Sequence, residues 1–404
     1  MFAATPVAAA EARPHYHIDY HVQFLPREGA AAVSIATRPH DGRATRIRLK
    51  MDARRYSQVR GDGRVMRSGE VVTWEPPDQG GALHYRYKID KKRRGGGYDA
   101  KIGPNWAIVR GDDLFPAAGV IATPGADSRA RLRFTMPDDW TNVDTPYRLA
   151  RNSREFVVTD PKHRFDRPVG WMIAGAVGTR REWIDSCEFS VAGPKGEPVR
   201  RNDIVSFANL TLPQFARGFG ALPPKLLVVS AGDPMWRGGL SGPRSMFLHT
   251  SRPLVSENGT SSLVHELFHA ITRIRGGDDD DWIAEGLAEY YAIELPRRAG
   301  LLSASRFEKS LAWMKQFSRD ATHLRVRHSD HRTTARAVLL LRELDREIST
   351  RRNGEAGLDA VVRALIPIRE VSLADLRAAA QRAIGAPSRV LDSPLLAEPT
   401  HASP

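Results

Sequence analysis

Cysteine is nearly missing from this 404-residue chain: Cys187 stands alone, so no intramolecular disulfide framework can brace the fold. That scarcity does not fix a compartment, since exported bacterial proteins often lack disulfides. A run of about eighteen apolar residues is also missing, which excludes a membrane-spanning helix on length. Acidic residues fall short of basic ones, 47 against 60, leaving a formal charge of +13. Such a surplus would suit an anionic partner. The basic residues, however, are scattered along the chain, and the one dense run, Lys91-Lys92-Arg93-Arg94, leads into Gly95-Gly96-Gly97 as a hairpin tip would. A solvated loop is the reading there, and nucleic acid is not expected as a partner. Internal repeats are absent too.

What is present is ordinary globular material, 41% hydrophobic and 26% charged. The length exceeds what one hydrophobic core usually organises, so the chain is expected to be multidomain α+β. Residues 1–14 read as an export-signal remnant or a disordered tail. The alanine-rich start ends in small residues like the end of a secretory signal, but lacks a basic n-region. On that basis the protein is expected to be exported, periplasmic or secreted. Over 15–155, polar and apolar residues alternate in short runs such as His17-Ile18-Asp19-Tyr20-His21-Val22, bounded by turn clusters. Period two with frequent turns predicts an N-terminal antiparallel β-sandwich. Residues 156–258 mix strand-like runs (169–177 and 226–229) with a helical stretch around 200–219. From 259 to 385 the period becomes helical, with helices expected near 260–274, 282–296, 304–318, 333–349, 356–366 and 372–384. Residues 386–404 read as a C-terminal tail.

The chemistry concentrates in His265-Glu266-Leu267-Phe268-His269, an H-E-x-x-H sequence inside an amphipathic stretch. Residues four apart on a helix share a face, so both imidazoles can reach one metal ion while Leu267 and Ile271 bury the other side. A catalytic zinc takes three protein ligands and keeps a fourth position open. The next helix offers Glu285 as the third, with Glu289 the alternative for that role. Glu266 then stands beside the metal as a general base. Glu289, one turn after Glu285, can accept the free ring N–H of a ligating histidine. The Asp278–Asp281 run can cap that helix and complement its dipole, with calcium binding as the alternative.

These pieces together resemble the glycyl aminopeptidase family of gluzincin zinc metallopeptidases. The matching segments are an N-terminal β-domain, Gly238-Gly239-Leu240, the H-E-x-x-H helix, Arg273-Ile274-Arg275, and the E-G-x-x-E-Y-Y helix beginning at Glu285. Leu344-Asp345 and Leu358-Asp359 follow in the same order. The resemblance implies a thermolysin-like catalytic domain over 156–385, one zinc ion on His265, His269 and Glu285, and hydrolysis of peptide bonds. It also implies substrate contacts at Gly239, Leu240 and Ser241.

Three departures bear on specificity. Only sixteen positions separate His269 from Glu285, so the link must be tight, which Gly276-Gly277 makes feasible. Ser241 stands where the family carries a glutamate that holds a substrate α-ammonium, leaving exo or endo cleavage open; Glu257 or Asp233 could replace it. The family's oxyanion-stabilising tyrosine falls near Thr334-Ala335, and His331 or His328 are the substitutes at hand. A metal-binding pseudo-peptidase is the alternative reading. The expected partner is a peptide substrate, and the sequence assigns no oligomeric state.

Overall fold

The computed structural model describes residues 13–159 and 164–397; the proposed export signal, and 398–404 of the expected tail, lie outside them. The chain divides into two compact units, Met1–Val177 and Gly178–Pro404. The N-terminal unit therefore extends past residue 155. Phe156–Val158 pairs with Asp127–Thr135, and Trp171–Gly175 pairs with Trp106–Arg110, so hydrogen bonds carry both segments into this unit.

Among the described residues, three sheets, one short α-helix, α1 (Gly111–Leu114), and a 3-10 turn at Pro26–Glu28 build the N-terminal unit. In the six-stranded sheet His15–Leu25 runs antiparallel to Ala30–Pro39 but parallel to Asp127–Thr135, one exception to the antiparallel pattern. Alternation along the first strand buries Tyr16, Ile18, Tyr20 and Val22 and turns His15, His17, Asp19 and His21 to the opposite face. Buried tyrosines keep their hydroxyls paired: Tyr20 Oη donates to Asp166 O (3.0 Å) and Tyr85 Oη to Leu114 O (2.6 Å). The Lys91–Arg94 run does form a hairpin tip, closed by Arg93 N donating to Gly97 O at 3.0 Å. Lys91 and Arg93 face Asp113 and Asp99.

The second unit opens with a five-stranded mixed sheet. Cys187–Pro194, Lys225–Ala231 and Ser245–His249 run parallel at its centre, and Gly239–Gly242 forms an antiparallel edge. The central strand is buried along its whole length, as expected for parallel strands covered on both faces. Helix α2 (Arg201–Phe219) packs on this sheet. Six more helices follow: α3 (Ser262–Thr272), α4 (Asp281–Arg298), α5 (Ala304–Phe317), α6 (His331–Arg351), α7 (Leu358–Leu365) and α8 (Leu373–Ile384). Each falls within about two residues of its expected bounds.

Helix α4 is the pillar of this lobe, buried nearly all round. Gly286 lets α6 come close: a Cβ there would stand 2.7 Å from the Ala337 Cβ. Two tyrosines lock it further. Tyr290 Oη donates to Asp345 Oδ2 and Tyr291 Oη to Asp359 Oδ1, each at 2.7 Å. Asp359 also receives Arg298, which with Arg297 pairs the buried Glu294. The two Leu-Asp motifs thus hold α4 to α6 and α7.

Two expectations change. Asp280 stands at the N-cap of α4, but its carboxylate accepts from Leu373 N (2.8 Å) and Trp282 Nε1 (3.4 Å), tying α4 to α8 instead of capping it. The segment after 385 is no free tail through 397. Leu391 and Leu396 are buried, Leu324 N donates to Leu395 O, and Ser388 Oγ donates to Glu347, because two leucines at the end of the chain complete the helical core.

Candidate active site

Helix α3 is capped at its start by Ser261, whose hydroxyl accepts from Val264 N (3.3 Å), and at its end by Arg273 in the left-handed conformation. Leu263, Val264, Leu267 and Phe268 bury one side of it, leaving His265, Glu266 and His269 half-buried on the other. The short link to α4 is tightened by Arg275–Gly276, which pairs with Glu370–Val371. Asp280 N donating to Gly277 O at 2.6 Å then turns the chain into α4. This compact turn brings Glu285 across from the histidines despite the shortened spacing.

The three predicted donors converge. His265 Nε2 and His269 Nε2 are 3.3 Å apart, and each lies 3.4 Å from a Glu285 carboxylate oxygen. Zinc bonds of about 2.0–2.2 Å place tetrahedral ligand atoms about 3.3–3.6 Å apart, so this triangle of two imidazole nitrogens and one carboxylate, each nitrogen facing a different Glu285 oxygen, fits one zinc ion with a fourth vertex free. On the far side of the ring, His265 Nδ1 donates to Glu289 Oε2 at 2.9 Å. That bond orients the ring and turns Nε2 toward the centre of the triangle, where it would ligate a bound ion.

The electrostatics favour a positive charge at that centre. Burial pushes the His265 imidazole down, but hydrogen bonds to Glu285 and Glu289 outweigh it and hold its pKa well above the ordinary value. Burial and the charge on His265 lower His269 to about 4. Burial would raise Glu285, yet the hydrogen bond from His265 and the charges of His269, His265 and His331 bring it down to about 2.

Glu266 sits beside the triangle under the edge strand Gly239–Gly242. A Cβ on Gly239 would stand 2.9 Å from Glu266 Cγ, so the strand approaches at a distance that only glycine permits here. The Ser241 hydroxyl and backbone N–H both donate to the Glu266 carboxylate. Burial, reinforced by Glu285, still raises the Glu266 pKa against those bonds and the charge of His265. The contact between Ser241 and Glu266 was not legible in the sequence, where position 241 stood out only for lacking a carboxylate. Leu240, between Gly239 and Ser241, is half-buried on the same strand.

His331 and His328 are both exposed, and His331, in the first turn of α6, is the one within electrostatic reach of Glu285. Asp233 is paired with Arg237 and faces His249, and Glu257 is exposed. Among the described residues, groups of three metal-capable side chains form only at His265, His269 and Glu285 and at His15, His40 and Asp41. The aspartate run does not gather into one, which removes the support for calcium there.

No family model and no curated protein sequence matches the chain. Solved structures do resemble it. An aminopeptidase N family protein from Idiomarina loihiensis aligns at 12% identity and TM-score 0.60, over 87% of this chain and 70% of its own. A two-domain M1 zinc metallopeptidase variant bound to L-tryptophan aligns at 15% identity and TM-score 0.60, over 97% and 96%. An M1 zinc metallopeptidase from Deinococcus radiodurans aligns at 15% identity and TM-score 0.55, again over 97% and 96%. The multidomain α+β architecture of this chain is therefore the fold of the M1 zinc metallopeptidases.

Proposed function

We propose that the chain is a zinc-dependent peptidase with His265, His269 and Glu285 as metal ligands and Glu266 as general base. The observation that carries this reading is the convergence of the two imidazole Nε2 atoms, 3.3 Å apart and each 3.4 Å from one oxygen of the Glu285 carboxylate, with the half-buried Glu266 carboxylate next to them. A bound zinc ion would supply Lewis acidity, acidifying a water molecule and polarising the scissile carbonyl. Glu266 accepts the proton of the attacking water, and its raised pKa suits it to pass that proton to the leaving nitrogen. Ser241 orients the carboxylate through its two hydrogen bonds. Glu289 fixes His265, and His331 is the candidate donor to the developing oxyanion.

The strand Gly239–Gly242 is the edge of its sheet beside Glu266, where a peptide can add as one more strand. Its side chains include no carboxylate, and the hydroxyl of Ser241 already binds Glu266. A free substrate α-ammonium therefore meets no charged partner on this strand, and aminopeptidase specificity is expected to be weak. Retention of Glu266 beside all three donors favours catalysis over the metal-binding pseudo-peptidase, which would have no use for a base. Export to the periplasm or medium belongs to the proposal through residues 1–12 alone.

One experiment tests both levels. Purified protein is given matched peptides with free and acetylated N-termini, before and after chelation. Cleavage of both forms at comparable rates, lost with zinc and restored by it, is expected. Chelation-resistant cleavage would refute the zinc reading, and strong preference for the free amine would place its recognition on another acidic group, with Asp233 and Glu257 the first to substitute.

A further inference from the structure

The second group of donors lies in the N-terminal unit. It is built where the first strand, His15–Leu25, meets the turn after Ala30–Pro39. That turn is latched to the strand on both sides of His15: His15 N donates to Asp41 Oδ1 at 2.5 Å, and Gly42 N donates to His15 O at 3.0 Å. The latch aligns side chains as well as backbone. His15 Nδ1 lies 3.2 Å and His40 Nδ1 3.3 Å from the same carboxylate oxygen, Asp41 Oδ1. The two imidazoles stack with ring centroids 4.2 Å apart and planes 24° from parallel.

The stacked rings bring both Nδ1 atoms to the same carboxylate oxygen. The separations of 3.2 and 3.3 Å match those between ligand atoms around one first-row ion at bond lengths of about 2.0–2.2 Å. His17, on the same face two residues along the strand, stands edge-on to both rings at 5.4 and 6.0 Å and is the nearest further imidazole.

We propose that His15, His40 and Asp41 form a second metal site, separate from the peptidase centre, which takes a late first-row divalent cation such as Zn2+, Ni2+ or Cu2+. Imidazole nitrogen with one carboxylate oxygen suits those ions, whereas calcium and magnesium favour oxygen donors throughout. The site spans the start of the first strand and the 40–42 turn, so an ion bound there clamps the two together. His40 and Asp41 side chains are 56% and 50% exposed, which leaves the remaining coordination positions to water. The exposure makes the role one of binding and clamping.

The test uses the full-length chain, stripped with chelator, dialysed against Zn2+ alone and analysed for metal per chain. Two ions are expected in the parent and one in His40→Ala, whose exposed position spares the fold. One is also expected in the His265→Ala/His269→Ala double variant, and none when all three changes are combined. A parent holding one ion that His40→Ala retains would overturn the proposal, as would a His40→Ala protein that still holds two. A parent holding one ion that is lost in His40→Ala and kept in the double variant would support this site and instead refute zinc at His265 and His269.

Discussion

The His265, His269, Glu285 group and the His15, His40, Asp41 group use the same donor types at similar separations, 3.3–3.4 Å in one and 3.2–3.3 Å in the other. Their settings differ. The first stands on two packed helices, has Glu289 behind one ligand and Glu266 beside the triangle, and is half-buried. The second stands on a strand end and a turn, and its carboxylate is itself a donor. Donor identity and spacing therefore account for affinity toward an ion, while chemistry needs a further carboxylate in a desolvated place and a rigid frame to hold it. The frame is visible in α4, where Tyr290, Tyr291 and Arg298 bind Asp345 and Asp359 on neighbouring helices.

The comparison can be broken most severely at the first group. Replacing His269 by Ala removes one of three donors, and metal binding and hydrolysis should both be lost in a zinc titration paired with a peptide assay. Tight binding by this variant would show that the triangle is not the metal site. Behind the ligand, Glu289→Ala should weaken metal affinity or activity by about 10–100-fold, because His265 loses the partner that orients its ring. A Glu289→Ala protein indistinguishable from the parent would assign that carboxylate to solvent. The smallest effect on hydrolysis is expected at the second group: His40→Ala should leave the peptide cleavage rate unchanged, and a clear loss would mean that the two groups are not independent.

Much of this was readable in the sequence because helical geometry is local. Spacing alone put His265 and His269 on one face and Glu285 and Glu289 on another, and the structure places them as that periodicity requires. Helix bounds were readable for the same reason, and in the structure Ser261, Ser303 and Ser372 cap three of these helices. What escaped depends on register between distant segments. His15 and His40 are 25 positions apart and meet only once the first two strands are paired. The hydrogen bonds of Ser241 to Glu266 and of Asp280 to α8 are likewise tertiary, and short-range pattern gives no sign of them. Residues 386–404 read as a tail because they are rich in Pro and Ser, although Leu391 and Leu396 fill the helical core.

The central claim is that Glu266 acts as a base next to a metal it does not bind. Substituting Gln keeps the shape of the side chain and its bonds to the neighbouring strand within reach, but removes its capacity to take a proton. Measured together, the zinc content and the peptide cleavage rate of Glu266→Gln decide the matter. The account predicts zinc bound at the parent's stoichiometry with cleavage slowed by about 10²–10⁴-fold. Near-parental turnover in the zinc-loaded variant would contradict it.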